Sequence, residues 1–181
     1  LYLVNPEGEF SFFANLSVDD DGDGPEDVAL ENTINAIGYN TEDGMLYGVD
    51  STNDFLYRIM ANGFIQNLGV ISGPISNNSN FSGAFDNDGN YYIIGNQGNF
   101  VLIENVTDLE PGEGTESTFL FDLDVRTSDI AINPTDFKIY LWDQQDRQLK
   151  SVDIETGVVD VIGPEAGTSN YAAMGAVYFT A

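Results

Sequence analysis

Five aspartates fall within nine residues in the run Asp19-Asp20-Asp21-Gly22-Asp23-Gly24-Pro25-Glu26-Asp27. Read from Asp19, the spacing puts carboxylates at loop positions 1, 3, 5 and 9, with Gly24 at position 6. Alternate side chains in a tight loop converge on one point, and glycine permits the sharp turn. Ca²⁺ asks for six to eight oxygens in a flexible shell, and Asp19, Asp21, Asp23, Asp27 and the Pro25 carbonyl would supply most of them, with water completing the set. Position 12 is Leu30, with Glu31 beside it, so the bidentate closure that tightens such loops is missing. Calcium is the cofactor expected here, because the same carboxylates left unneutralised would repel one another. The competing reading is a solvated acidic connector.

Two further residues have chemistry to offer. Asp129 is the one acid that the repeat register described below places on an axial strand, where it would face the mouth of a central channel and serve a ligand. Trp142 is the single tryptophan; beside Asp143 and Gln144 it could stack on a sugar ring, although the position also suits a large core residue. Asp86-Asn87-Asp88-Gly89-Asn90 looks like half of a calcium loop but stands where a hairpin turn is due.

Composition removes several classes. The chain has no histidine and no cysteine, which excludes histidine acid–base catalysis, Ser-His-Asp triads, histidine metal ligands and disulfides within it. Thirty acidic residues against five basic ones give a net charge of −25 over 181 residues, unsuited to nucleic acid or to direct contact with anionic membranes. With so many acids, carboxylate pairs at glycosidase spacing are guaranteed by number and carry no signal. Leu1 is not an initiator methionine, so a monomeric module of a larger chain is expected.

The elements that must position these residues are short strands. From Ile34 to Ser72, apolar residues alternate with small or polar ones, and turn signals separate four runs. The pattern recurs. The polar residue after the first strand is Asn40, Asp86 and Asn133, at steps of 46 and 47, and a further step of 45 reaches Tyr178. Small residues stand two places earlier (Gly38, Ala84, Ala131, Ala176), and Tyr47, Tyr92 and Tyr140 align in the second strand. A period near 46 with four strands per copy predicts an all-β fold, a four-bladed β-propeller in one domain over 1–181. The blades span about 34–72, 81–124 and 128–164, with a split blade of 171–181 and 1–17 and the calcium-type loop at 19–31. Pairing of the N-terminal hairpin with the C-terminal strand would close the ring and remove a free sheet edge. The recurrent small residues are expected where the blades approach one another at the axis.

Two resemblances add to this. The 19–27 run resembles the calcium loops of thrombospondin type-3 repeats and EF-hand-like modules. The wording Ile34-Asn35-Ala36-Ile37-Gly38-Tyr39-Asn40, Gly44-Met45-Leu46-Tyr47-Gly48-Val49-Asp50 and Leu56-Tyr57-Arg58-Ile59, with Gly83-Ala84-Phe85-Asp86-Asn87-Asp88-Gly89-Asn90-Tyr91-Tyr92, resembles propeller-like repeats of large secreted and cell-surface bacterial proteins, many of them adhesin-like. That family offers no catalytic residue to carry over. The resemblance implies an extracellular or cell-surface setting and a binding or spacer role. Together with the acidic loop, the expected function is a non-enzymatic module, calcium-stabilised, with a glycan or protein as partner. The alternative is a propeller hydrolase or lyase with a metal-assisted site over the central axis.

Overall fold

Alternating apolar residues between turn signals produce strands, and the computed structural model is all-β apart from one 3-10 turn. It describes residues 2–4, 9–12, 17–19, 28–29, 33–50, 52–61, 63–75, 81–95 and 98–165. The strands are β1 (Tyr2–Val4), β2 (Phe10–Phe12), β3 (Ser17–Asp19), β4 (Val28–Ala29), β5 (Ile34–Asn40), β6 (Met45–Asp50), β7 (Phe55–Ile59), β8 (Phe64–Ser72), β9 (Phe81–Phe85), β10 (Tyr91–Gly95) and β11 (Asn99–Ile103). After the 3-10 turn at Val106–Asp108 come β12 (Thr115–Glu116), β13 (Thr118–Asp122), β14 (Ile130–Ile132), β15 (Lys138–Asp143), β16 (Gln148–Asp153) and β17 (Val159–Val161).

Three antiparallel meanders carry the architecture: β5-β6-β7-β8, β9-β10-β11-β13 and β14-β15-β16-β17. Their first strands lie side by side, β5 against β9 and β9 against β14. This is a propeller-like arrangement, with each sheet laid face to face on the next.

The repeat register has a local cause. After each first strand the chain turns on an aspartate or asparagine whose Oδ1 accepts the backbone N–H two residues on: Asn40 from Glu42 at 3.0 Å, Asp86 from Asp88 at 2.9 Å and Asn133 from Thr135 at 2.9 Å. The aligned tyrosines then tie the second strand back to its own turn. Tyr47 donates its hydroxyl to Asp43, Tyr92 to Asp86 and Tyr140 to Asp136, at 2.5, 3.2 and 2.7 Å. Beyond filling space, these rings hold the turns shut.

Two cores lie between the sheets. Tyr47, Val49, Leu56 and Leu68 of the first meet Phe85, Tyr91, Ile93 and Ile103 of the second. Ile94 and Phe100 of the second meet Ile130, Ile139, Leu141 and Val152 of the third. Gly38 lies beneath the second sheet, where an added Cβ would come within 2.9 Å of Phe85 Cδ2 and 3.2 Å of Tyr91 Cε2. Its smallness therefore makes room for a neighbouring ring and not for an approach at the axis.

The first sheet departs from the expected four strands. β8 runs for nine residues, and its outer edge takes parallel β3 at one end (Ser17↔Phe64) and parallel β12 at the other (Thr115↔Ile71), while β4 pairs with β3. A long edge strand presents a row of unpaired N–H and C=O groups, and the added strands satisfy them. β1 and β2 form a separate hairpin. The C-terminal segment expected to close the ring, 171–181, lies outside the described residues.

Candidate functional site

The geometry at the inner strands begins with a break in the ladder. β5 pairs with β6 as Asn35↔Val49 and then Gly38↔Tyr47, so β5 carries one extra residue between the pairs, a bulge. Ala36 sits in it with φ of 55°, a left-handed conformation that costs a residue with a Cβ free energy, and the Asn35 side chain holds it by accepting the Ala36 N–H at 2.9 Å. The bulge turns the Ala36 carbonyl toward β9, where the buried Tyr91 hydroxyl donates to it. Opposite lies Gly83, whose added Cβ would press into the same carbonyl and stand 2.8 Å from Tyr91 Oη. The inner strands approach closely here, at Ala36 and Gly83, two residues away from Gly38.

Beside this contact opens a cavity of about 210 Å³ lined by Asn35, Ala36, Ile37, Ser82, Gly83, Ser128 and Asp129. All three inner segments contribute to it. Asp129 is half-buried, and burial raises its carboxyl above the ordinary aspartate range, opposed by hydrogen bonds from the Ile130 N–H and the Ser82 hydroxyl. Both bonds go to Oδ1, at 2.9 and 3.2 Å. Oδ2 has no protein hydrogen bond among the described residues. The arrangement is a carboxylate of raised basicity with one oxygen fixed and one available, in a small polar cleft with an amide and two hydroxyls.

Asp129 thus lies in the cleft together with Ser82 and Ala36, the residues aligned with it by the repeat. Ser82, Asn35 and Ser128 carried no signal of their own in the sequence. Trp142 is elsewhere: it pairs with Leu149 on the face of the third sheet turned away from the second, half-buried, with its indole N–H buried and unpartnered. Asp19 ends β3, while Asp21, Asp23, Pro25 and Asp27 lie outside the described residues. Among the described residues, no three acidic side chains gather in a manner that would hold a metal ion.

A larger acidic cleft, about 480 Å³, opens between the turns of the second and third sheets, with Asp86, Asp136 and Asp153 in its wall. These carboxylates are already employed. Asp86 holds its own turn and Tyr92, Asp136 accepts from Tyr140 and the Lys138 N–H, and Asp153 accepts from Thr156. Asp143, the last residue of β15, is buried and paired with Lys150 at 2.5 Å. Burial would raise its carboxyl, but the Lys150 ammonium and the Gln145 and Arg126 N–H groups hold it below the ordinary range. These groups build the fold.

Residues 24–181 match the family described as Repeat of unknown function (DUF6923). The chain belongs to that family. No curated protein matches it significantly. Among solved structures it is similar to virginiamycin B lyase from Staphylococcus aureus, at 15% identity and a TM-score of 0.56, over 93% of this chain and 56% of that one. A catalytically inactive histidine-to-alanine variant of that lyase with quinupristin gives 14% identity and 0.54, over 88% and 53%. The extracellular domain of a putative one-component system from B. thetaiotaomicron gives 12% and 0.55, over 89% and 24%. At these identities the likeness is one of fold, and the chain spans about half the length of the lyases it matches.

The lyases correct one expectation. The sequence pointed to a non-enzymatic binding or spacer module, on the grounds that histidine is absent and that the repeats it resembles offer no catalytic residue. Enzymes share this arrangement of sheets, so neither ground makes the fold inert, and of the two readings the hydrolase-or-lyase alternative is the one they favour.

Proposed function

We propose that this chain carries a lyase-type site at the axial end of its inner strands, with Asp129 as the general base. The observation that carries the reading is the half-buried Asp129, of raised pKa, in a polar cleft at the junction of three sheets. In an elimination, Asp129 Oδ2 takes the proton from a carbon next to the one bearing the leaving group. The C–H electron pair becomes the new double bond, the leaving group departs with its bonding pair, and the Asp129 carboxyl returns the proton to it. Asn35 and Ser128 are placed to hydrogen-bond the substrate, and Ser82 orients the base. A histidine-to-alanine variant of the similar lyase is catalytically inactive; this chain contains no histidine, and the base's part is assigned in this proposal to Asp129.

Turnover of quinupristin, the molecule held by the similar lyase, tests the reading. The parent chain is expected to consume it and Asp129→Asn to lose about 10²–10⁴-fold in rate. The parent's rate should fall as pH drops through the raised Asp129 pKa, since only the ionised base accepts a proton. A parent chain that leaves the compound intact, or an Asp129→Asn variant as fast as the parent, sinks the proposal.

The 19–27 run is proposed to bind one Ca²⁺ through Asp19, Asp21, Asp23, Asp27 and the Pro25 carbonyl. Pairing of Val18 with Val28 supports this, because it brings the two ends of the run together. The extracellular setting is likewise a proposal, in keeping with the one-component-system domain that shares the fold.

A further inference from the structure

The direction in which the Asp129 carboxylate points is set by its backbone, and that backbone is held by a neighbour. Asp129 is the residue before β14, and strand pairing begins only with Ile130↔Leu141. Two residues earlier in the chain stands Thr127, 3% exposed. Its Oγ1 donates to the Asp129 carbonyl at 2.7 Å and accepts the Asp129 N–H at 3.3 Å. One buried hydroxyl thus ties both backbone groups of Asp129 and closes Thr127-Ser128-Asp129 into a tight turn. The turn is itself anchored. The Arg126 N–H donates to the buried Asp143 carboxylate at 3.3 Å, and the Arg126 carbonyl accepts the Gln144 N–H at 2.7 Å. The Gln144 side chain donates to the Ser128 hydroxyl. The segment 126–129 therefore hangs from the end of β15 and the turn after it, and the Thr127 hydroxyl carries that anchorage on to Asp129. The repeat register puts Ile34 and Asn80 where Thr127 stands, so the first sheet forms with no hydroxyl at this place. The threonine occurs in the copy that carries the acid.

We propose that Thr127 is the positioning residue of the Asp129 site: its hydroxyl holds the Asp129 backbone so that Oδ1 is spent on Ser82 and Ile130 and Oδ2 stays open to the cleft. The consequence for rate rests on the reading of Asp129 as the base; the consequence for geometry does not. Thr127 is not among the residues lining the cleft, so it acts through Asp129 and touches no substrate. The bond it protects is the one that spans two sheets, from the Ser82 hydroxyl to Asp129 Oδ1 at 3.2 Å. Valine keeps the shape of threonine and removes the hydroxyl, which separates holding Asp129 from filling space.

A double-substitution cycle in denaturant, with Thr127→Val, Ser82→Ala and the two together, is the first test. If the hydroxyl aims the carboxylate at Ser82, removing Ser82 costs less in the valine background, and the unfolding constants depart from additivity by at least about twofold. Additive effects overturn the proposal. Thr127→Ser keeps the hydroxyl and should behave in the cycle as the parent does; a serine variant that behaves as valine overturns it as well. Turnover of quinupristin is the second test. Thr127→Val should lose about 10–10²-fold in kcat with KM little changed, and Thr127→Ser should recover most of the loss. An active parent whose kcat is unmoved by valine overturns the proposal. A parent that leaves quinupristin intact sinks the lyase reading alone, and the cycle still decides whether Thr127 positions Asp129. Should valine prevent folding, Thr127→Cys, close in size with only a weak donor, carries the same comparisons.

Discussion

Replacing Gly83 by alanine asks whether β5 and β9 meet where the structure places them. The added Cβ would press into the Ala36 carbonyl oxygen and stand 2.8 and 2.9 Å from Tyr91 Oη and Cε2. The neighbours cannot yield cheaply: one is backbone held in a bulge, the other a fully buried ring stacked on Phe85 at 4.4 Å between centroids. Overpacking of this kind costs about 1–3 kcal/mol. If the strands part to relieve it, the buried Tyr91 hydroxyl and Ala36 carbonyl lose each other, adding about 1–3 kcal/mol. The total, about 2–6 kcal/mol, is a large part of an ordinary domain's stability and corresponds to roughly 4–24 °C in Tm for a chain of this size. Urea denaturation followed by tyrosine fluorescence and circular dichroism gives the number. Gly163→Ala is the control, since an added Cβ there meets nothing within 4 Å and should be neutral. Tyr91→Phe alone should cost about 1–3 kcal/mol, and the double substitution less than the sum, because both act on one hydrogen bond. A neutral Gly83→Ala, or strict additivity with Tyr91→Phe, would mean the inner strands do not touch at this point.

Lys150→Met should destabilise by about 3–5 kcal/mol by leaving the Asp143 carboxylate buried without its cation, measurable by the same denaturation. The pair also sets a pH window. Asp143 is held below its ordinary pKa, so its contribution is present above the unfolded value near 4 and is lost as pH falls through the folded one; Lys150 is raised above 10.5, so its contribution is complete below that and is lost as pH rises beyond it. Calcium should raise Tm beyond sodium at matched ionic strength, by the equivalent of about 2.7 kcal/mol at a hundredfold excess over Kd, and Asp21→Asn with Asp23→Asn should abolish only that excess. An unchanged calcium response in the double variant would assign the ion elsewhere.

The sequence announces whatever repeats. Asn40, Asp86 and Asn133 could be aligned because each sheet solves the same turn with the same side-chain hydrogen bond, and Tyr47, Tyr92 and Tyr140 because each turn needs the same clamp. Asp129 stood out by the same subtraction, as an acid where the other copies have Ala36 and Ser82. What is unique to one place was hidden. No periodicity announces that Ser17–Asp19 and Thr115–Glu116 join the two ends of β8, since either segment could pair with any free edge. Ala36 gives no warning of a left-handed φ, a conformation usually left to glycine or asparagine, and the cleft beside Asp129 follows from that bulge. The hydrolase-or-lyase reading stood second in the sequence because the resemblance offers no catalytic residue and the chain holds no histidine.

The turn clamps have a consequence for how the chain acquires its structure. Asp43 and Tyr47, or Asp136 and Tyr140, lie four residues apart, and each meander joins neighbours in sequence. Hairpins of this kind form within about 1–10 μs, far faster than a ribosome adds a residue. Each meander can therefore take shape soon after its last strand leaves the ribosome, without waiting for the sheet that will cover it. The slow events are the ones that span the sequence: the seating of Tyr91 on the Ala36 carbonyl across 55 residues, and the reach of Arg58 to the Val106, Thr107 and Leu109 carbonyls. Maturation is then a sequential docking of finished sheets, N-terminal first, with the far end of β8 waiting longest in the first sheet, for Thr115 and Glu116.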